Sequence, residues 1–136
     1  MSEEKKESPF LKWKMEKRQQ WLVQAKTPKD LCYRLLTFKI GEVLDKFGIA
    51  GGKRFDYYVF YRKAFRLIFR DVIGRGVLAP SEEFFKRLDK VFDYVEETVM
   101  KQYNLEPEIV KEIEKVLAEG IVEEFFGVEK ESEPQT

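Results

Sequence analysis

Residues 48–70 read GIAGGKRFDYYVFYRKAFRLIFR. Gly48 suits the left-handed position that closes a helix, and Ile49 to Gly52 make a short glycine loop behind it. A long helix, the third of five, is then expected over about Arg54–Ile73. Tyr57, Tyr61, Ala64, Phe65, Ile68 and Val72 fall in one broad apolar arc at about 100° per residue. Arg62, Arg66 and Arg70, spaced by four, line up beside Lys63 on the opposite face. Like charges at that spacing repel unless something negative lies against them. Arginine's planar fork suits carboxylate and phosphate alike, so the partner is either the acidic part of this chain or a phosphate backbone.

Working outward, Thr27-Pro28 opens a second helix that should end near Phe47, with Asp30 in its first turn suiting the helix dipole. It is apolar on two sides. Cys32, Leu36, Ile40, Val43 and Phe47 make one stripe, and Leu31, Leu35 and Phe38 another, so both faces should be covered. Upstream, Ser8-Pro9 starts a first helix running to about Lys26. Its Lys12, Lys14, Lys17, Arg18 and Lys26 scatter around the cylinder, with Phe10, Trp13, Met15, Trp21 and Leu22 between them. No face of such a helix enters a core without burying a cation. That favours an arm lying between a charged partner and neighbouring protein. The other reading is an exposed helix whose lysine stems lie over the rest of the fold.

Downstream, residues 74–80 (GRGVLAP) form the longest internal break. Ser81-Glu82-Glu83 caps a fourth helix to about Tyr103, Asn104 stops it, and Pro107 starts a fifth that ends at Gly127. Phe85, Leu88, Phe92, Val95 and Val99 share one stripe, and Ile109, Ile113, Val116 and Leu117 another, with acids opposite. These are core stripes. There is no internal repeat and no strand pattern. The polar segments 1–8 and 128–136 are expected to be disordered.

The charges cancel over the whole chain, 25 against 25, but they are segregated. Residues 1–70 carry 17 Lys/Arg and 8 Asp/Glu; residues 71–136 carry 8 and 17. A domain that needs only solvation intersperses its signs. The basic half also holds most of the aromatics, and that pairing favours a polyanion such as nucleic acid. The plainer reading is that the two halves attract each other inside one fold. At 136 residues the chain is one domain's worth, and its 37% charge without histidine is typical of proteins from hot environments. Lacking histidine, it has no imidazole base or metal ligand, and the lone Cys32 leaves no disulfide or cysteine cluster. No catalytic residue, metal site or cofactor is therefore assigned. No apolar run of membrane-spanning length or signal-peptide pattern occurs.

The pattern Gly48-Ile49-x-Gly51-x-x-Arg54-x-x-Tyr57-x-x-Phe60-x-x-Lys63-x-x-Arg66 resembles the loop and helix of the major coat proteins of filamentous viruses of hyperthermophilic archaea, the rudivirus and lipothrixvirus group. Lys12-Trp13 ahead of it and Pro107-Glu108-Ile109-Val110 behind it extend the similarity loosely over about Lys12 to Gly120. The resemblance implies an all-α fold, a four-helix bundle (27–127) with an N-terminal helical arm (9–26). It also implies paired subunits, homodimer or heterodimer with a paralogue, whose arms wrap double-stranded DNA and hold it in the A form within a virion assembled in the host cytoplasm. The strongly acidic second half departs from that picture.

The expected function is thus a structural coat protein binding DNA through its backbone, independent of sequence. The expected phosphate contacts are Lys12, Lys14, Lys17, Arg18, Lys26, Lys29 and Arg34, with Lys53, Arg54, Arg62 and Arg66 second. Helices three to five would pack subunit against subunit. No small-molecule substrate is expected, and no segment asks for a lipid envelope. A small helical DNA-binding regulator is the alternative, and a helical protein-interaction adaptor a third reading.

Overall fold

The computed structural model describes residues 9–128; the expectations for 1–8 and 129–136 lie outside them. Five helices account for most of the described chain, and no strand occurs within it. They are α1 (Pro9–Val23), α2 (Pro28–Lys46), α3 (Gly51–Asp71), α4 (Glu82–Val95) and α5 (Pro107–Gly120). α4 continues through a π turn (Glu96–Met100) into a last α turn (Lys101–Tyr103), and α5 runs into a second π turn (Ile121–Phe125).

The local signals act where the sequence puts them. Thr27 Oγ1 accepts from the Asp30 amide at 3.0 Å, and Ser81 Oγ from the Phe84 amide at 3.2 Å. Gly48 turns left-handed at φ 72°, and Asn104 does so at φ 56° to end the α4 segment. Two boundaries differ from expectation. α1 stops at Val23, short of Lys26, because Thr27 must be extended (φ −140°, ψ 160°) to cap α2 before Pro28. α3 begins at Gly51, so Lys53 and Arg54 sit in its first turn, where cations oppose the helix dipole.

The core is shared by four helices. Cys32, Leu36, Ile40 and Leu44 of α2 meet Tyr57, Phe60, Tyr61, Ala64 and Ile68 of α3, Phe84, Leu88 and Val95 of α4, and Ile109, Ile113 and Leu117 of α5. Each such large side chain contributes about 1.5–3 kcal/mol by leaving water. α2 and α5 approach so closely that a Cβ on Gly120 would overlap the buried Leu36 side chain. Among its described side chains, α1 adds none to this core.

The stripes need correction in four places. Phe85 is 43% exposed and Phe84 takes the core position, because at about 100° per residue Phe84 lies mid-arc with Leu88, Val91 and Val95 while Phe85 sits at the rim. On α5 the buried arc widens to include Val110 and Glu114, so one acid is on the core side and not opposite it, while Val116 is only half-buried. On α2, Leu44 takes the core position, with Val43 and Phe47 half-buried beside it. The second stripe of α2 is covered only in part: Leu31 remains exposed, and Phe38 is met by α1.

Candidate nucleic-acid interface

α1 lies against α2 through few contacts. The Trp21 ring stands edge-on to Phe38 at 5.2 Å, and the Arg18 guanidinium lies 4.3 Å above the same Phe38 ring. Arg34 donates to the Trp21 carbonyl at 2.6 Å, pairs with Asp30 at 3.2 Å and packs on the Trp21 ring at 5.0 Å. Lys12, Lys14, Lys17 and Lys26 are exposed, and Lys17 sits 5.9 Å from the Trp13 ring centre. Between α1, α2 and α3 runs a groove of about 390 Å³ that brings Lys14, Lys17, Arg18 and Arg54 together with Glu42 and Asp45.

The larger basic surface is on α3. A groove of about 700 Å³ at the start of α2 is walled by Lys29, Arg62, Lys63 and Arg66, with Tyr33 and Phe65 among its lining. A second, about 480 Å³, lies between α3 and α4, walled by Lys63, Arg66, Arg70, Arg87 and Lys90 beside Tyr94. Lys63 and Arg66 belong to both, so the two grooves form one basic face. Its two carboxylates are engaged locally, Asp30 with Arg34 and Asp71 with Arg70 at 2.9 Å. The aromatic wall is rigid. Tyr33 stacks on Tyr61 at 5.2 Å and meets Phe65 edge-on at 5.0 Å, and the Tyr61 hydroxyl donates to the Tyr33 carbonyl at 2.6 Å. Lys29 and Lys63 lie over the Phe69 and Tyr94 rings at 5.7 and 5.6 Å, which holds their stems while leaving the charges at the surface.

Of the eleven expected phosphate contacts, three are occupied within the fold. Besides Arg34, Lys53 donates to the carbonyls of Tyr103 and Asn104 at 2.8 and 3.3 Å, tying the start of α3 to the end of the α4 segment. Arg54 pairs with Asp45 at 2.8 Å and donates to the carbonyls of Ile49 and Gly41, bracing the glycine loop. Its place on the apolar side of α3 makes this use readable in sequence; Lys53's partners, fifty residues away, are not. Conversely, the expected contacts omitted Lys63, Arg70, Arg87 and Lys90. The last two are three residues apart on α4, and that spacing was the signal for them.

The ion pairs formed by acids of α4 and α5 are mostly with cations of the same half. Glu83 pairs with Arg87 at 2.9 Å, Glu97 with Lys101 at 3.3 Å, and Glu96 with Lys111 at 3.0 Å. Lys39–Glu124, at 3.8 Å, is a contact between the halves. No carboxylate among the described residues forms an ion pair with Arg62 or Arg66. Ion pairing between the halves reaches Arg70 through Asp71 but does not account for Arg62 and Arg66.

Two buried groups have shifted chemistry. Burial and the nearby Glu124 push the Cys32 thiol up to about 12, so it carries no thiolate near neutrality. Glu114 is 7% exposed, and its Oε2 has no hydrogen-bond partner. Burial, together with the facing Glu96, raises its carboxyl to about 8, while Glu96, hydrogen-bonded to Glu114 and Lys111, is lowered. Among the described residues there is no group of three or more acids, cysteines or histidines fit to hold a metal ion. No helix there is long and apolar enough to cross a membrane. The chain matches no protein-family model, no curated protein and no solved structure.

Proposed function

We propose that this chain is a structural DNA-packaging protein, a major coat protein of the filamentous archaeal virus type. In this reading α2 to α5 form a four-helix bundle and α1 is the arm that lies along linear double-stranded DNA. The protein contacts the sugar-phosphate backbone without reading bases and works as a dimer, with itself or with a paralogue, in a helical nucleocapsid. The A form of the DNA follows from the family resemblance alone.

The observation that carries the proposal is the basic face of α3. Arg62 and Arg66 have no acidic partner there, and Lys29, Lys63, Arg70, Arg87 and Lys90 surround them. Cations held this closely are destabilising unless an anion spans them, and a phosphate backbone is a continuous one. The exposed lysines of α1 add a second cationic element.

The test is assembly of the full chain on long linear duplex, imaged by electron microscopy and digested with nuclease. Regular filaments containing protected DNA are expected. Discrete small complexes on accessible DNA would favour the regulator instead. That second reading has one observation of its own: Arg34 and the Trp21–Phe38 contact fold α1 back onto the same chain.

A further inference from the structure

Without DNA the cations along α3 repel one another, and no carboxylate among the described residues pairs with Arg62 or Arg66. The end of α5 comes to the rim of that face. The Phe125 ring stands edge-on to Phe69 of α3 at 4.8 Å, and Lys29, a wall of the groove, lies 5.7 Å from the same Phe69 ring. Gly127 then turns left-handed at φ 74°, and the Val128 amide donates to the Val122 carbonyl at 3.0 Å. These pin the point from which residues 129–136 depart. They read EKESEPQT, three glutamates against one lysine, with Pro134 the one apolar side chain. A segment of that length reaches about 26 Å at most. Arg62 lies only about 10 Å along α3 from Phe69, at 1.5 Å per residue.

We infer that residues 129–136 lie on the basic face of their own chain when no DNA is bound, with Glu131 and Glu133 against Lys29, Arg62 and Arg66, and that duplex displaces them. The inference deepens the DNA reading and rests on it for the displacement alone. Charge and position together select the occupant: the segment is acidic, and it leaves the fold beside the groove. A tether this short gives an effective concentration on the order of millimolar, so a contact of sub-millimolar affinity keeps the face covered. With no ring or aliphatic anchor, the contact is held by charge, and salt loosens it. A long duplex offers many phosphates and wins the competition, whereas short or stray polyanions do not. The contact is made within each chain, so it holds equally in a dimer.

The experiment has two arms. In the first, the full chain without DNA is treated with a carbodiimide at low salt, and the amide joins are mapped by mass spectrometry. Joins from Glu131 or Glu133 to Lys29 or Lys63 are expected in product of single-chain mass. They should fall several-fold in Arg62→Gln/Arg66→Gln and when long duplex is added. In the second, labelled duplex is titrated with the full chain, with a chain ending at Val128, and with Glu129→Gln/Glu131→Gln/Glu133→Gln. Both altered chains should bind about tenfold tighter at low salt, and the gap should close as salt rises. The glutamine variant keeps the segment's length, so it separates charge from bulk. No join to Lys29 or Lys63, joins only between chains, or joins together with equal duplex affinity for all three chains overturns the inference. If the joins form and none of the chains binds duplex, the DNA reading fails and the shielding contact stands.

Discussion

Arg54 and Arg62 sit eight residues apart on α3 and are put to different uses. Arg54 braces the glycine loop through Asp45 and two carbonyls, whereas Arg62 lines the open groove at the start of α2. Asp45 is largely exposed, so the ion pair contributes little, about 0–1 kcal/mol. The charged bonds to the half-enclosed carbonyls contribute more, about 1.5–3 kcal/mol. Arg54→Gln is therefore expected to destabilise by about 1–2 kcal/mol in urea titration. Replacing Arg62 and Arg66 together by Gln should shift stability by less than about 0.5 kcal/mol while weakening DNA binding. Stable Arg62/Arg66 variants with intact DNA affinity would remove α3 from the DNA surface. Glu114 gives a second test at this scale. Its folded carboxyl lies at about 8, above the usual 4.5, so between those values the folded chain keeps a proton that the unfolded chain has released. Stability should fall as pH rises through that window. The lowered Glu96 works in the opposite sense, below the usual carboxylate value, and does not offset it there. Glu114→Gln should flatten the melting temperature between about pH 5 and 8 and stabilise the alkaline end. Parallel profiles for the two proteins would exclude a raised Glu114 carboxyl as the source of the pH dependence.

Among the helices, α1 and α4 contrast most. α4 buries a stripe from Phe84 to Val95, and the π turn that follows it buries Val99 as well. Among its described side chains α1 buries none fully, and its fastenings to α2 include one aromatic pair, two cations on rings and one side-chain to carbonyl bond. An aromatic pair adds about 0.5–1.5 kcal/mol, a small part of a domain's stability. Deleting residues 1–26 should thus leave a cooperative helical melt, lowered by only a few degrees, while abolishing nuclease protection of DNA. Full protection by the truncated chain would mean that α3 suffices and that α1 is not an arm.

Over the whole molecule the charge segregation of the sequence becomes a segregation of surfaces. Basic residues gather on α1 and along the grooves of α3, and the acids of α4 and α5 pair mainly among their own cations. If the basic face holds phosphates, binding releases counterions, and log affinity should fall linearly with log salt by about 0.9 per phosphate neutralised. Random and AT-rich duplexes should give the same line in fluorescence titration. A site preference that persists at high salt would support a regulator.

The five helices, their caps at Thr27 and Ser81 and their stops at Gly48 and Asn104 were legible in the sequence, because caps and left-handed turns act within one helical turn. Arg54's use inside the fold was legible for the same reason, from its place on the apolar side of α3. Only the tertiary structure decided that Phe84 and not Phe85 enters the core, that Glu114 is buried, and that Lys53 and Arg34 are engaged within the chain. The grouping of Arg87 and Lys90 with the α3 arginines belongs there too. Those outcomes depend on which helix lies across from a residue. That is set by packing between segments tens of residues apart, and no local periodicity encodes it.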